Sequence, residues 1–331
     1  MAILVTGGAG YVGSHIIAEL QSHGEEVITV DNLSQGNRAA LNGTTLYEID
    51  ITDYDSMIQI MKNHKIDSVV HCAASSLVEE SVNNPLKYYY NNVFGTERLL
   101  SAMVECGIRD IVYSSSAAVY GEPEIVPITE NASLCPTSPY GETKLVMERM
   151  LKIAESAHGI KSIGFRYFNA AGAHSELNIG ESRDEETHLI PLLIKSAQGL
   201  KGKFNLFGND YPTFDGSCIR DFIHVMDLAN AHWLALKYLR TEGKSNIFNL
   251  GSEIGYSIKE IIQALEKISG KTIELYISER RSGDPAILIA SSKKANEILG
   301  WEPQFSTLEC ILNTAWNWHS TNPYGYKTIM S

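Results

Sequence analysis

The sequence predicts an α/β protein with a Rossmann-type, doubly wound parallel sheet and a smaller C-terminal α/β substrate domain. Three observations predict it. Short β-branched runs alternate with longer amphipathic segments through the first half, the pattern of right-handed βαβ units. The strand candidates are unbroken apolar runs, as strands are when a sheet is covered on both faces. A glycine-rich turn, Thr6-Gly7-Gly8-Ala9-Gly10-Tyr11-Val12-Gly13, joins the first strand to the first helix, where such a fold cradles a phosphate.

In chain order, strands are expected at 3–5, 26–30, 45–49, 68–72, 110–114 and 161–165, where β-branched and other apolar residues cluster. Helices are expected at 12–23, 53–62, 95–106 and 140–157, where apolar residues recur at helical spacing. Ser138 and Pro139 mark the start of the last as N-cap and first helical residue. From about Asn169 the rhythm gives way to loops rich in glycine and charge at 180–188, 199–203 and 208–216. The division expected is a dinucleotide-binding domain over 1–168 and a substrate domain over 169–331. Segments near 221–239 and 247–251 are candidates to return to the first.

Composition narrows the function. The chain of 331 residues, 44% hydrophobic and 20% charged, suits a folded protein of about two domains. It carries 27 Lys and Arg against 39 Asp and Glu, a formal net charge of -12. That balance argues against nucleic acid or an anionic membrane as its main partner. Five cysteines without close pairing fit a reducing compartment better than a disulfide framework. No apolar run is long enough for a membrane span and no signal peptide is evident, so a cytoplasmic place is expected.

The glycines at 7, 10 and 13 let the backbone turn sharply, approach a pyrophosphate and pack the following helix on the sheet, whose N-terminus then faces the anion. Asp31 ends the second strand, placed to accept from the adenosine ribose hydroxyls; a turn cap is the structural alternative. Its charge would repel a 2′-phosphate, favouring NAD over NADP. Asp50, closing the third strand, is placed to hold the adenine edge. Tyr140 and Lys144 lie four residues apart on one helix face. An ammonium beside a phenol lowers its pKa from the ordinary value of about 10, as an oxidised nicotinamide would, and makes it a usable base. Ser114, Ser115 and Ser116 end strand five, at the sheet edge where ligands bind in open α/β folds. His15, His71, His174 and His224 show no metal-ligand spacing, and no metal is expected.

With these motifs on the page, the chain resembles the extended short-chain dehydrogenase/reductases, and most closely their UDP-glucose 4-epimerase branch. The resemblance runs through Thr6–Gly13, Asp31-Asn32, Asn91-Asn92-Val93, the serine run to Gly121, Ser138 to Lys144, Arg166-Tyr167-Phe168-Asn169, the Phe207-Gly208-Asn209-Asp210-Tyr211-Pro212-Thr213 motif, Arg220-Asp221 and the segment from Arg281 to Asp284. It implies epimerisation of a UDP-hexose at C4 through a 4-keto sugar, with hydride passed to tightly held NAD and returned to the other face. Tyr140 would be the base, Lys144 would lower its pKa and bind the nicotinamide ribose, and Ser116 would hold the reacting oxygen. NAD contacts are implied for Gly7, Gly10, Tyr11, Val12, Gly13, Asp31, Asn32, Asp50, Ile51, Cys72, Ala73, Ala74, Asn92, Tyr140, Lys144 and Phe168.

UDP-sugar contacts are implied for Asn169, His188, Leu189, Arg220, Arg281 and Asp284, with Phe207 near the uracil. Read by themselves, the arginines also suit surface ion pairs and Asp284 a partner to one of them. His188 stands where many relatives have Asn, and Ser76 where some have Lys. Related 4,6-dehydratases place acidic residues after the catalytic hydroxyl; here those positions are Ala117 and Ala118. In the family the bulk at Leu288 sets the room beside the sugar C2, and leucine is intermediate, which extends the expected substrates to UDP-GlcNAc and UDP-GalNAc. Helices over 86–106 and 139–157 pair two copies in relatives, so a homodimer is implied. The alternatives are an epimerase for another UDP-sugar (a uronic acid or pentose) and a catalytically silent NAD-binding regulator.

Overall fold

The structure is a computed structural model that describes residues 2–281 and 284–326. Its first half is built from β1 (Ala2–Thr6), α1 (Tyr11–Ser22), β2 (Glu26–Val30), β3 (Thr45–Tyr47), α2 (Tyr54–Asn63) and β4 (Ile66–His71). There follow α3 (Val78–Asn83), α4 (Pro85–Tyr88), α5 (Gly95–Cys106), β5 (Asp110–Ser116), α6 (Pro139–His158) and β6 (Lys161–Tyr167). The second half continues with β7 (Asn169–Ala171), α7 (Leu189–Ala197), β8 (Phe204–Phe207), β9 (Ile219–His224), α8 (Val225–Glu242) and β10 (Asn246–Leu250). It closes with β11 (Gly255–Ser257), α9 (Ile258–Ser269), β12 (Leu275–Ser278), β13 (Ile287–Leu288), α10 (Lys293–Leu299) and α11 (Leu308–Thr321).

Seven strands form the central sheet in the order β10-β6-β5-β4-β1-β2-β3, with every neighbouring pair parallel. Alternation along a strand sends side chains to opposite faces. Ile3 and Val5 accordingly join a core with Ile16 and Ile17 of α1 and Leu228 and Leu236 of α8. Ala2 and Leu4 join the opposite core, with Met57 and Met61 of α2, Leu99 and Met103 of α5 and Leu151 of α6. Both faces of β1 are buried, which is why its sequence is apolar from Ala2 to Val5. The chain leaves β1 toward β2 on one side and reaches β4 on the other, so strand order reverses there and opens a crevice at the carboxyl edge.

β10 pairs with β6 at one edge of this sheet, Leu250 opposite Tyr167. β9 instead lies in a small sheet with β11, β13 and β7, and β8 pairs with β12. A third core, from Ile190, Leu193, Phe222, Ile261, Leu265 and Leu312, lies beneath these elements. Among the described residues no helix is long and apolar enough to cross a membrane.

Boundaries shift by a few residues from the sequence reading. β5 runs on through Ser115 and Ser116, which stay paired with Arg166 and Tyr167 of β6. α6 begins as its cap residues require: Pro139 is in the first turn and the Ser138 hydroxyl accepts from Gly141 N at 3.2 Å. Between α4 and α5 the helix passes through a π-helical stretch, Tyr89–Phe94, that periodicity alone did not signal.

One buried ion pair locks α6 to the sheet. Arg166 of β6 and Glu148 of α6 are 3% and 9% exposed. Arg166 donates to both carboxylate oxygens, at 3.0 and 2.8 Å. Ser115 donates to the same carboxylate at 2.5 Å, and Arg166 also reaches the Tyr120 hydroxyl at 2.8 Å. Removing one member leaves a charge buried without its partner. Arg166→Leu is therefore expected to cost about 3–5 kcal/mol of folding stability, measured as a lowered urea midpoint at unchanged slope.

Candidate active site

The loop after β1 is shaped by close contacts that only glycine allows. Gly7 has φ +71°, and a Cβ there would lie 2.5 Å from Ala73 N. A Cβ on Gly13 would strike the Gly7 carbonyl oxygen and sit 2.8 Å from Gly8 Cα. Gly10 is the N-cap of α1 and brings no side chain to it, so the first N–H groups of α1, at Tyr11 and Val12, point out of the loop. The Tyr11 hydroxyl donates to Gly172 O at 2.7 Å, tying α1 to the second half of the chain.

Asp31 is 7% exposed at the end of β2. Its carboxylate accepts from Ala9 N at 2.9 Å and Leu33 N at 2.8 Å; burial still raises its pKa against those bonds. Asp50 accepts from Asn32 Nδ2 at 2.8 Å and from the backbone and hydroxyl of Thr52 at 2.9 and 2.7 Å. Against partial burial, these bonds hold its carboxyl below the usual range. Ile51 is buried, packed where α5 has Gly95. Cys72 N donates to Thr6 O at 2.9 Å, and Ala73 runs directly under Gly7 while Ala74 and Ser76 follow in the same loop. Asn92, in the π-helical stretch, spends both amide hydrogens inside the chain, on Ser75 O and Thr143 Oγ1, each at 3.0 Å. It also accepts from Ser75 N at 2.8 Å, so it fastens this loop to α6. A strained backbone cradle, a helix N-terminus and a buried carboxylate beside it fit a dinucleotide.

The reactive set meets at the end of β5. The Ser116 hydroxyl accepts from Ala118 N at 3.1 Å and lies near enough to the Tyr140 phenol to pull its pKa down against burial. Gly141 permits this approach, since a Cβ there would lie 2.5 Å from Ala118 O. The buried ring of Tyr88 stands edge-on to Tyr140, centroids 6.4 Å apart. Lys144, 2% exposed, donates to Ser114 O at 2.8 Å. Burial pushes its pKa down to about 8 against the pull of Cys72 and Glu148.

In the chain alone, burial pushes the Tyr140 pKa up, and the influences opposing it are the neighbouring Ser116 hydroxyl and the Arg183 charge. The enclosed phenol loses the solvation that its charged form would need. Chain geometry alone thus keeps this proton on.

The remaining implied residues gather at the second half. Asn169 Nδ2 donates to Asp221 O at 2.8 Å, and Phe168 packs with Val119, Leu145 and Leu288. Arg220 pairs with Asp284 at 2.5 Å, and the Arg281 guanidinium lies 4.0 Å from the Phe207 ring centroid. The charges of Arg220, Asp284 and Arg281 all reach Cys218. Leu288 lies opposite Arg220 in the β13–β9 pair.

His188, one residue before Leu189 at the start of α7, turns its imidazole to Glu181 at 2.6 Å. Arg183 also holds Glu181, at 3.0 Å, and against burial these two cations keep that carboxyl down at about 2. Glu181, Glu186 and His188 bring ligand-type atoms within 4.8 Å of one another, but Glu181 already has its cations within the chain. Burial holds His15, His71 and His224 neutral, at about 4, 3 and 3.

Sequence reading missed Glu148, Tyr88 and Arg183. Glu148 lies four residues beyond Lys144 on the face that carries Tyr140, and Arg166 is a lone charge inside an apolar strand run. That pairing is the signal that could have found it. Arg183 sits in a loop with no periodicity to read.

Comparison with known proteins agrees with this arrangement. The profile of the NAD dependent epimerase/dehydratase family matches residues 3–251. A UDP-glucose 4-epimerase of Halalkalibacterium halodurans is 52% identical over 328 residues, 99% of this chain and 98% of that one. The UDP-glucose 4-epimerase of Bifidobacterium longum, solved with NAD+ and UDP, superposes with a TM-score of 0.93 at 36% identity, covering 98% of this chain and 100% of that one. The UDP-Glc/GlcNAc 4-epimerase of Campylobacter jejuni gives 0.85 at 39% identity, covering 97% and 99%. Adding one methyl at the tightest point of the loop tests the cradle. Gly13→Ala is expected to purify without bound dinucleotide, read from its ultraviolet spectrum, and to melt below the parent.

Proposed function

This chain belongs to the NAD dependent epimerase/dehydratase family, and we propose that it interconverts UDP-glucose and UDP-galactose through a 4-keto sugar with tightly bound NAD. The observation that carries this reading is that the end of β5 at Ser116 and the start of α6 at Tyr140 meet at the carboxyl edge of the sheet, where Gly141 closes on Ala118, in the same fold as the glycine cradle. Bound NAD supplies a hydride acceptor that later returns the hydride. Ser116 holds the sugar 4-oxygen, and Tyr140 Oη takes its proton and gives it back. Lys144, anchored on Ser114 O, faces the nicotinamide ribose. Gly7, Gly10, Tyr11, Val12 and Gly13 receive the pyrophosphate, and Asp31, Asn32, Asp50 and Ile51 the adenosine. Cys72, Ala73, Ala74 and Phe168 border the nicotinamide end, which Asn92 braces.

Arg220 and Arg281 suit a diphosphate, because each planar guanidinium offers two charge-assisted bonds. Asp284 orients Arg220, Phe207 lies along the uracil, and Asn169, His188 and Leu189 border the nucleotide. Ala117 and Ala118 follow Ser116 without a carboxylate, so an elimination at C5 and C6 lacks its acid and base there. This favours a reversible hydride shuttle. Leu288, half-buried beside Phe168 and opposite Arg220, supports turnover of the N-acetylated UDP-hexoses as well. We place the NAD half at residues 1–168 with β10 returned to it, and the sugar-nucleotide half after it.

The reading is tested by incubating purified protein with UDP-galactose, UDP-GlcNAc and UDP-glucuronate and identifying the products. Epimers of the first two are expected and none of the third. Tyr140→Phe is expected to lower the rate about 10²–10⁴-fold while keeping NAD. Activity equal to the parent would remove Tyr140 as the base.

We further propose a cytoplasmic homodimer paired through α4, α5 and α6. Leu86, Tyr90, Phe94 and Ile153 are 78%, 59%, 42% and 67% exposed, an apolar stripe that suits a second copy. A groove between α5 and α6, lined by Leu100, Val104, Met150 and Ile153, continues it. Light scattering at micromolar concentration is expected to give twice the chain mass, and Leu86→Glu to shift it toward monomer. A monomeric parent would contradict the pairing.

A further inference from the structure

Tyr211 lies in the turn after β8, within the Phe207 to Thr213 motif, and is 4% exposed. Its N–H donates to Gly216 O at 2.9 Å, closing the turn. The ring is held in place by its neighbours. Gly208, at φ +79°, leaves it room, since a Cβ there would sit 2.5 Å from Tyr211 Cε2. The Arg280 guanidinium lies 4.4 Å from the ring centroid and is itself tied to Asp210 at 2.7 Å. A ring so confined has its hydroxyl aimed by the fold.

Among the described residues that hydroxyl has no hydrogen-bond partner, although it is shut off from solvent. A buried hydroxyl left unpaired costs on the order of 1–3 kcal/mol, and phenylalanine would fill the same space without that cost. Its surroundings say what would pair with it. The charges of Asp284, Arg220 and Arg280 all bear on the Tyr211 hydroxyl, so it stands by the Arg220–Asp284 pair rather than in a purely apolar core. Burial raises its pKa above the ordinary tyrosine value, which leaves it an O–H donor at neutral pH.

We propose that Tyr211 is a binding residue for the nucleoside diphosphate: its O–H donates to that group when it enters beside Arg220 and Arg281. The inference rests on the UDP-sugar reading above and adds to it a contact drawn from the β8 turn. A hydroxyl that gains its partner only on binding contributes to affinity twice over. It forms a bond, and it relieves a cost carried by the free protein.

Tyr211→Phe removes one oxygen and tests this cleanly. Without ligand the variant is expected to melt at or above the parent temperature, because the unpaired hydroxyl is gone. Its Kd for UDP is expected to rise about 3- to 10-fold, the equivalent of one hydrogen bond, and the KM for UDP-galactose likewise, with kcat and bound NAD unchanged. Uridine is the second probe. If its affinity falls together with that of UDP, the contact is to the nucleoside; if only UDP weakens, it is to phosphate. Either outcome supports the proposal. A variant that binds UDP as the parent does overturns it, since the hydroxyl then gives nothing to the ligand. A marked fall in the ligand-free melting temperature also overturns it, because the hydroxyl then has a partner in the chain. If the parent itself fails to bind UDP, the functional reading falls, and this contact with it.

Discussion

The site depends on a carboxylate that is nearly closed off from water, Glu148. Glu148 holds Arg166 of β6 and Ser115 of β5 from its position on α6, and so fixes the helix against two strands at one point. Tyr140 and Lys144 are carried on that helix, about two turns and one turn before Glu148 respectively, and Ser116 follows Ser115 directly. Their separation is therefore set by an ion pair in low dielectric, which resists displacement far more than a surface contact would. Gly141 then lets the start of α6 close on the turn after Ser116, and Tyr88 supports the Tyr140 ring from the far side.

Positioning and protonation are divided between chain and cofactor. Enclosure makes the Tyr140 phenol less acidic, because the charged form loses its solvation. The same enclosure strengthens any charge later placed beside it. In the proposed reading the positive nicotinamide is that charge, and Lys144 contributes by orienting the ribose from its anchor on Ser114. A base that is inert without its oxidised partner suits an enzyme whose cofactor must be regenerated in every cycle.

Much of the fold is legible in the chain because the forces that make it are local. β1, β2 and the helices around 95–106 and 140–157 have unambiguous apolar patterns, and Ser138-Pro139 states the start of α6 to the residue. The glycine loop is legible because only glycine tolerates the contacts at positions 7 and 13. Other features depend on distant partners. His188 shows no sign in sequence of its bond to Glu181, seven residues away across a loop. The direction of the Tyr140 shift follows from burial, which no spacing reports. Glu148 lay hidden for a different reason: a charged residue on a helix is ordinarily a solvated one, and only Arg166 across the sheet says otherwise.

The second half is read through its arginines and the small sheet that presents them. β9 carries Arg220, β13 sets Leu288 opposite it, and the β8 turn brings Phe207 and Tyr211 to the same neighbourhood. One titration tests the central claim most directly, that the chain sets the place of the phenol and the oxidised cofactor sets its charge. The phenolate absorbance of Tyr140, taken as parent minus Tyr140→Phe, is followed against pH with the nicotinamide oxidised and again with it reduced. The account predicts ionisation at clearly lower pH in the oxidised form. Identical midpoints in both forms, each near the ordinary tyrosine value of about 10, would contradict it.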